Sequence, residues 1–135
     1  MRFHRWIRGA AVLAALAVFA PVSMAWPLDW PAFTREAFSA AQSEGKTIVV
    51  FVSADWCSTC RAQEPGLLEA TSRPEHQGYE LFLVDYDTQK DVMRELGVPV
   101  RSTILVYRGP QEVGRIVSDS SIDAIVDLFS FGLPG

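Results

Sequence analysis

The sequence predicts a single α/β domain built on a central mixed sheet of four to five strands, with helices on both faces. Three observations carry that prediction. Thr47-Ile48-Val49-Val50-Phe51-Val52 is an apolar, β-branched run of strand length, unbroken as in a strand covered on both sides. Helical and strand patterns alternate along the chain as α, β, α, β, α, β, β, α, the order expected of helices layered over a sheet. The only two cysteines, Cys57 and Cys60, stand three apart where that strand passes into a helix.

Residues 1–25 read as a secretory signal peptide. Arg2, Arg5 and Arg8 form a positive start, Ala10 to Ala20 an apolar middle, and Ser23-Met24-Ala25 places small residues at the −3 and −1 positions of a cleavage site. The apolar run is shorter than the roughly 20 residues a bilayer span needs, which leaves an uncleaved anchor as the alternative. Residues 26–135 then form the domain. Trp26 to Trp30 is a lead-in with room for a brief edge strand. Pro31 suits the first turn of a helix that runs to Glu44 and stops at Gly45, with Phe33, Ala37, Phe38 and Ala41 as its apolar stripe. The central strand spans 47–53. The helix Arg61 to Thr71 has Leu67 and Leu68 as apolar positions and is kinked by Pro65.

Ser72 to Gly78 reads as a polar loop, and Tyr79 to Asp85 as a second buried strand with Leu81, Phe82, Leu83 and Val84 as its core. Gln89 to Leu96 is a short helix closed by Gly97. Thr103 to Tyr107 is a third strand, turned by Gly109-Pro110 into a fourth, Glu112 to Val117. The last helix begins near Ser120, whose spacing to Asp123 predicts a capping box. Ile122, Ile125, Val126 and Phe129 are its apolar face.

Removing three arginines with the signal lowers Lys+Arg from 12 to 9 against 16 acidic groups, a net charge near −7. Such a surface excludes nucleic acid and anionic membrane as partners. About 110 residues bury an ordinary core without disulfide staples, and a bridge across three residues constrains the unfolded chain little. The pair is therefore read as chemistry. At a strand-to-helix junction the first thiol meets the positive end of a helix dipole, where the thiolate is favoured. The second lies on the same helix face. An exposed attacking Cys57 beside a sheltered resolving Cys60 is the expected arrangement. His76 is the only histidine after residue 25 and reads as a surface residue, which excludes a Cys–His hydrolase. No phosphate-cradling loop or dinucleotide fingerprint is present, and no cofactor is expected.

Ala54-Asp55-Trp56-Cys57-Ser58-Thr59-Cys60 resembles the active-site loop of the thioredoxin family. The likeness extends over residues 29–131. Pro65 is similar to the proline that kinks the family's active-site helix, and Val84-Asp85-Tyr86-Asp87 to the Val-Asp-x-Asp ending its next strand. Gly97-Val98, Thr103-Ile104-Leu105-Val106-Tyr107 and Gly109 resemble the approach to its last hairpin. The resemblance implies a thioredoxin-like fold. It also implies that Cys57 attacks a partner's disulfide, with Cys60 resolving the mixed disulfide and leaving the two joined. Trp56 would flank the site as a binding platform. Arg61, able to support the thiolate, reads as a solvated helix residue.

The chain departs from the family at three places. Ser58-Thr59 stands where thioredoxin has Gly-Pro, and these residues tune the redox poise. The family's buried Asp falls on Phe51 and its Lys partner on Leu83, so the usual proton route is lost. Glu64, one turn beyond Cys60, is either a substitute for it or a solvated surface carboxylate. The family's cis-proline falls on Ser102, which either hydrogen-bonds the Cys57 sulfur or is an ordinary loop serine.

The expected function is that of an exported, periplasmic thiol–disulfide oxidoreductase, monomeric, acting on cysteines of other exported proteins. In an oxidising compartment it requires a membrane redox partner. The alternative is a metal-binding or metal-delivery module in which the two thiolates hold a soft ion such as Cu(I).

Overall fold

β1 (Thr47–Ser53) is the spine of the molecule: Ile48 to Val52 are wholly inaccessible to solvent. Successive side chains of a strand point to opposite faces, and here each face has its own core. Ile48, Val50 and Val52 pack with Phe33, with Phe38 and Ala41 of α1 (Arg35–Ser43), and with Val92 and Met93 of α3 (Lys90–Glu95). Val49 and Phe51 pack with Leu67 and Ala70 of α2 (Ser58–Ser72) and with Ile125, Leu128 and Phe129 of α4 (Ile122–Ser130). This computed structural model describes residues 28–135. The signal peptide expected at 1–25 lies outside the described residues, as do the first two residues of the lead-in. Among the described residues no helix is long and apolar enough to cross a membrane.

The sheet is mixed. β2 (Glu80–Asp85) runs parallel to β1, β3 (Thr103–Arg108) antiparallel to it, and β4 (Gln111–Val117) antiparallel to β3, in the order β2-β1-β3-β4. A fifth strand is reduced to one parallel bridge between Ala32 and Leu83. Phe33 N–H donates to the Leu83 carbonyl and Leu83 N–H to the Pro31 carbonyl, both at 2.8 Å. The edge element among the described residues thus lies at 31–33 rather than at 28–30, and Pro31 is not in a helix. A proline can still accept at a sheet edge although it cannot donate. The helix begins after Thr34, whose hydroxyl accepts from Ala37 N–H at 3.2 Å.

Other local expectations are corrected. α4 is capped by Ser121, accepting from Ala124 N–H, rather than by Ser120. Leu68 and Ile122 are exposed, leaving Leu67 and Ile125 to make the α2–α4 contact. The segment 72–78 contains a 3₁₀ turn, Pro74–His76. His76 is buried there, with its ring 5.3 Å from that of Tyr79 and 5.5 Å from that of Phe129. Its Nδ1–H donates to the Ala70 carbonyl at 2.7 Å. Filling the end of a core, not facing solvent, is this histidine's place. Ala70 is ten residues beyond Cys60, about 15 Å along the helix axis, so His76 is remote from the cysteines.

Candidate active site

Cys57 is the N-cap of α2, with extended backbone, and its sulfur accepts from Cys60 N–H at 3.1 Å. That contact satisfies one of the orphan donors of the helix's first turn. Cys57 and Cys60 form a disulfide, their Cα atoms 5.3 Å apart. Cys57 is only 2% exposed and Cys60 is fully buried. The expected exposed attacker is thus covered in the disulfide form, because the loop before β3 lies against both sulfurs.

Ser102 is the residue that covers them. Its hydroxyl oxygen is 3.2 Å from Cys57 Sγ and 3.2 Å from Cys60 Sγ, and the residue is 2% exposed. Its φ is +59°, in the left-handed region that disfavours any residue with a Cβ. Three hydrogen bonds hold it there: its N–H donates to the Val52 carbonyl at 2.8 Å, and its carbonyl accepts from Ser118 N–H at 2.8 Å and Gln63 Nε2–H at 3.1 Å. The central strand, the loop that follows the last strand and α2 thus converge on one loop residue.

Gln63 was not singled out as a site residue from the sequence. It is wholly buried, and its amide also donates to the Asp119 carbonyl at 2.9 Å, tying the β4–α4 loop to the Ser102 loop. Its Oε1 is buried with no protein partner. The available signal was positional: Cys60, Gln63, Leu67 and Ala70 form one helical stripe, and a glutamine on the core stripe requires partners.

The remaining candidates surround the pair. Trp56 is 56% exposed beside Cys57; its Nε1–H donates to Asp87 at 2.8 Å, and its ring meets Tyr86 edge-on. Ser58 is exposed and Thr59 half-buried on the first turn of α2. Arg61 donates to the Asp55 carbonyl at 2.6 Å, which ties down the loop before Cys57. Glu64 is only 8% exposed, and burial raises its pKa above the usual carboxylate value, against the opposing charge of Arg61. It is not a freely solvated carboxylate. Phe51 and Leu83 are cross-strand neighbours in β1 and β2, and Trp30 meets Phe51 edge-on at 6.3 Å. An apolar pair thus occupies the positions of the family's buried charges.

A disulfide closed across two residues at a helix N-terminus, with a hydroxyl touching both sulfurs, is the arrangement of the thiol–disulfide exchange class. The thioredoxin family profile matches residues 30–130, and the chain belongs to that family. It is 37% identical over 83 residues to an H-type thioredoxin of Fagopyrum esculentum, covering 62% of this chain and 70% of the relative. It is 25% identical over 124 residues to a protein disulfide-isomerase of Aspergillus oryzae, covering 92% of this chain and 24% of the isomerase. Among solved structures, Trxlp from Edwardsiella tarda superposes with a TM-score of 0.70 at 34% identity, over 73% of this chain and 96% of that one. Thioredoxin NaTrxh from Nicotiana alata does so with 0.68 at 25% identity, over 83% and 99%. The predicted thioredoxin-like fold and thiol–disulfide oxidoreductase activity are both borne out.

Proposed function

We propose that this oxidoreductase is exported to the periplasm and exchanges disulfides with cysteines of other exported proteins, supplied or drained of electrons by a membrane partner. The signal pattern in residues 1–25 supports export. The observation that carries the chemistry is the Ser102 hydroxyl shared between the two sulfurs.

In the reducing direction, Cys57 attacks a substrate disulfide as its thiolate, favoured by the α2 N-terminus and by the Ser102 hydroxyl. One substrate sulfur bonds to Cys57; the other leaves as a thiolate and takes a proton from solvent. Cys60, once deprotonated, attacks the Cys57 sulfur and expels the second substrate thiolate. Two electrons have then passed to the substrate, and the Cys57–Cys60 disulfide has formed. The reverse sequence oxidises a substrate dithiol. Because Ser102 contacts both sulfurs, its hydrogen bond can follow the negative charge from one to the other. With Phe51 and Leu83 apolar, Ser102 and Glu64 are the polar groups left to assist Cys60.

Cys57→Ser should abolish exchange, and Cys60→Ser should accumulate mixed disulfides with substrates, seen as non-reducing gel adducts. Full exchange by Cys57→Ser would overturn these roles. A mature N-terminus at Trp26 in a periplasmic extract, read by mass spectrometry, tests export. Stoichiometric Cu(I) in protein purified without chelators would replace the redox reading with the metal-delivery one.

A further inference from the structure

Beside the disulfide lies a positive charge that the fold itself does not use. Arg101 immediately precedes Ser102, so the backbone that holds the hydroxyl on the sulfurs also fixes the arginine. Its guanidinium carbon is 4.6 Å from the Trp56 ring centroid and 5.9 Å from that of Tyr86. Its Nε–H is buried with no acceptor. Among the described residues Arg101 has no ion-pair partner. Arg35, Arg73 and Arg115 each pair with a carboxylate; Arg61, Arg94 and Arg108 have none among the described residues, and what sets Arg101 apart from them is its place over Trp56 next to Ser102. Lys90 repeats the pattern, its ammonium 2.9 Å from the Tyr86 centroid and without a carboxylate partner among the described residues. Asp55, Asp85 and Asp87 lie near this strip; Asp87 accepts from Trp56 Nε1–H, and Asp85 accepts from the backbone N–H groups of Asp87 and Thr88.

Two cations thus share one aromatic pair beside the disulfide, in a chain whose net charge is acidic. An arginine held over an indole keeps its terminal Nη–H groups for an acceptor, the buried Nε–H being out of reach of an incoming ligand. A carboxylate matches those groups. A substrate presenting a sulfur to Cys57 must also lay its neighbouring residue near Trp56, the residue before the nucleophile. We propose that Arg101, backed by Lys90, is a carboxylate subsite selecting substrate segments with Asp or Glu beside the target cysteine. This subsite rests on the disulfide-exchange reading above.

The test uses cyclic disulfide peptides identical except for Glu, Gln or Lys next to one cysteine. Each is reduced by the full chain in its dithiol form, and each rate is normalised to that peptide's reaction with dithiothreitol. At low salt the Glu peptide should react about fivefold faster than the Gln peptide, the size expected of one partly exposed ion pair. The advantage should shrink toward one at about 0.5 M salt. Arg101→Gln should bring the Glu-to-Gln ratio to about one, and Arg101→Glu should transfer the preference to the Lys peptide. Each ratio is internal to one protein preparation, so altered folding or overall rate cannot imitate the change. A wild-type ratio of one at low salt, or a ratio unmoved by Arg101→Gln, overturns the subsite while leaving disulfide exchange intact. No reaction with any peptide overturns exchange itself, and the subsite with it.

Discussion

Replacing Ser102 by alanine removes a single hydroxyl while keeping the Cβ, and so keeps whatever strain the φ of +59° imposes. The lost group lies 3.2 Å from each sulfur. In the disulfide form a sulfur is a weak acceptor; when reduced Cys57 reacts as its thiolate, the same hydroxyl makes a charge-assisted bond. Such bonds contribute roughly 1.5–3 kcal/mol against roughly 0.5–1.5 for neutral ones, so the hydroxyl favours the thiolate by about 1–2 kcal/mol. Removing it should raise the Cys57 pKa by about one unit. It should also make the couple harder to reduce, moving the potential more negative by about 20–40 mV. Equilibration against glutathione in metal-free buffer gives the potential, and the ultraviolet absorbance of the thiolate against pH gives the pKa. Gln63→Leu, which removes one of the two hydrogen bonds to the Ser102 carbonyl without touching the hydroxyl, should shift both in the same direction by less. A potential that moves by less than about 10 mV in Ser102→Ala, or moves positive, would refute the idea that this hydroxyl serves the reduced form.

Two further substitutions probe the frame around the site. In Gly66→Ala the new methyl would stand 2.6 Å from Ile125 Cδ1 and 3.1 Å from its Cβ, in a contact where Ile125 is fully buried. Overpacking should outweigh the gain in helix propensity, lowering stability by about 1–2 kcal/mol, read as a lower urea midpoint at unchanged slope. Glu64→Gln should stabilise the protein at neutral pH. Burial raises the folded-state pKa of Glu64, so its contribution is full below the unfolded value and is lost as pH rises through the folded one. The gain from glutamine should therefore vanish below about pH 4. A gain equal at both pH values would show that burial of the charge is not its cause.

The order of elements was legible because each long segment carries one period: β1 is apolar without interruption, and α4 repeats apolar residues at helical spacing. The ends were less so. Pro31 satisfies the rules for a first helical turn, yet a long-range pairing with Leu83 captures it, and no local pattern announces that pairing. His76 lies among polar neighbours in sequence, but the chain turns it under Phe129. In the site, the cysteines and the loss of the family's Asp at Phe51 could be read directly. A Ser102 contact with the Cys57 sulfur could be posed but not resolved, and its equal contact with Cys60 was not legible at all, since both depend on where the 97–103 loop crosses the end of α2. The role of Gln63 was hidden for the same reason: its partners are backbone carbonyls 39 and 56 residues away.

The bridge at Ala32 has a consequence for how the molecule keeps to itself. It is a clasp one residue long on the outer side of β2, engaging both backbone groups of Leu83 and leaving the rest of that rim to the charged ends Glu80 and Asp85. A chain shortened past residue 33 would lose the clasp. Leu83 would then offer its N–H and carbonyl to any passing extended segment, the opening move of strand-by-strand aggregation. Six residues with almost no regular structure of their own thus act as a selvedge, stopping the sheet from being extended by its neighbours.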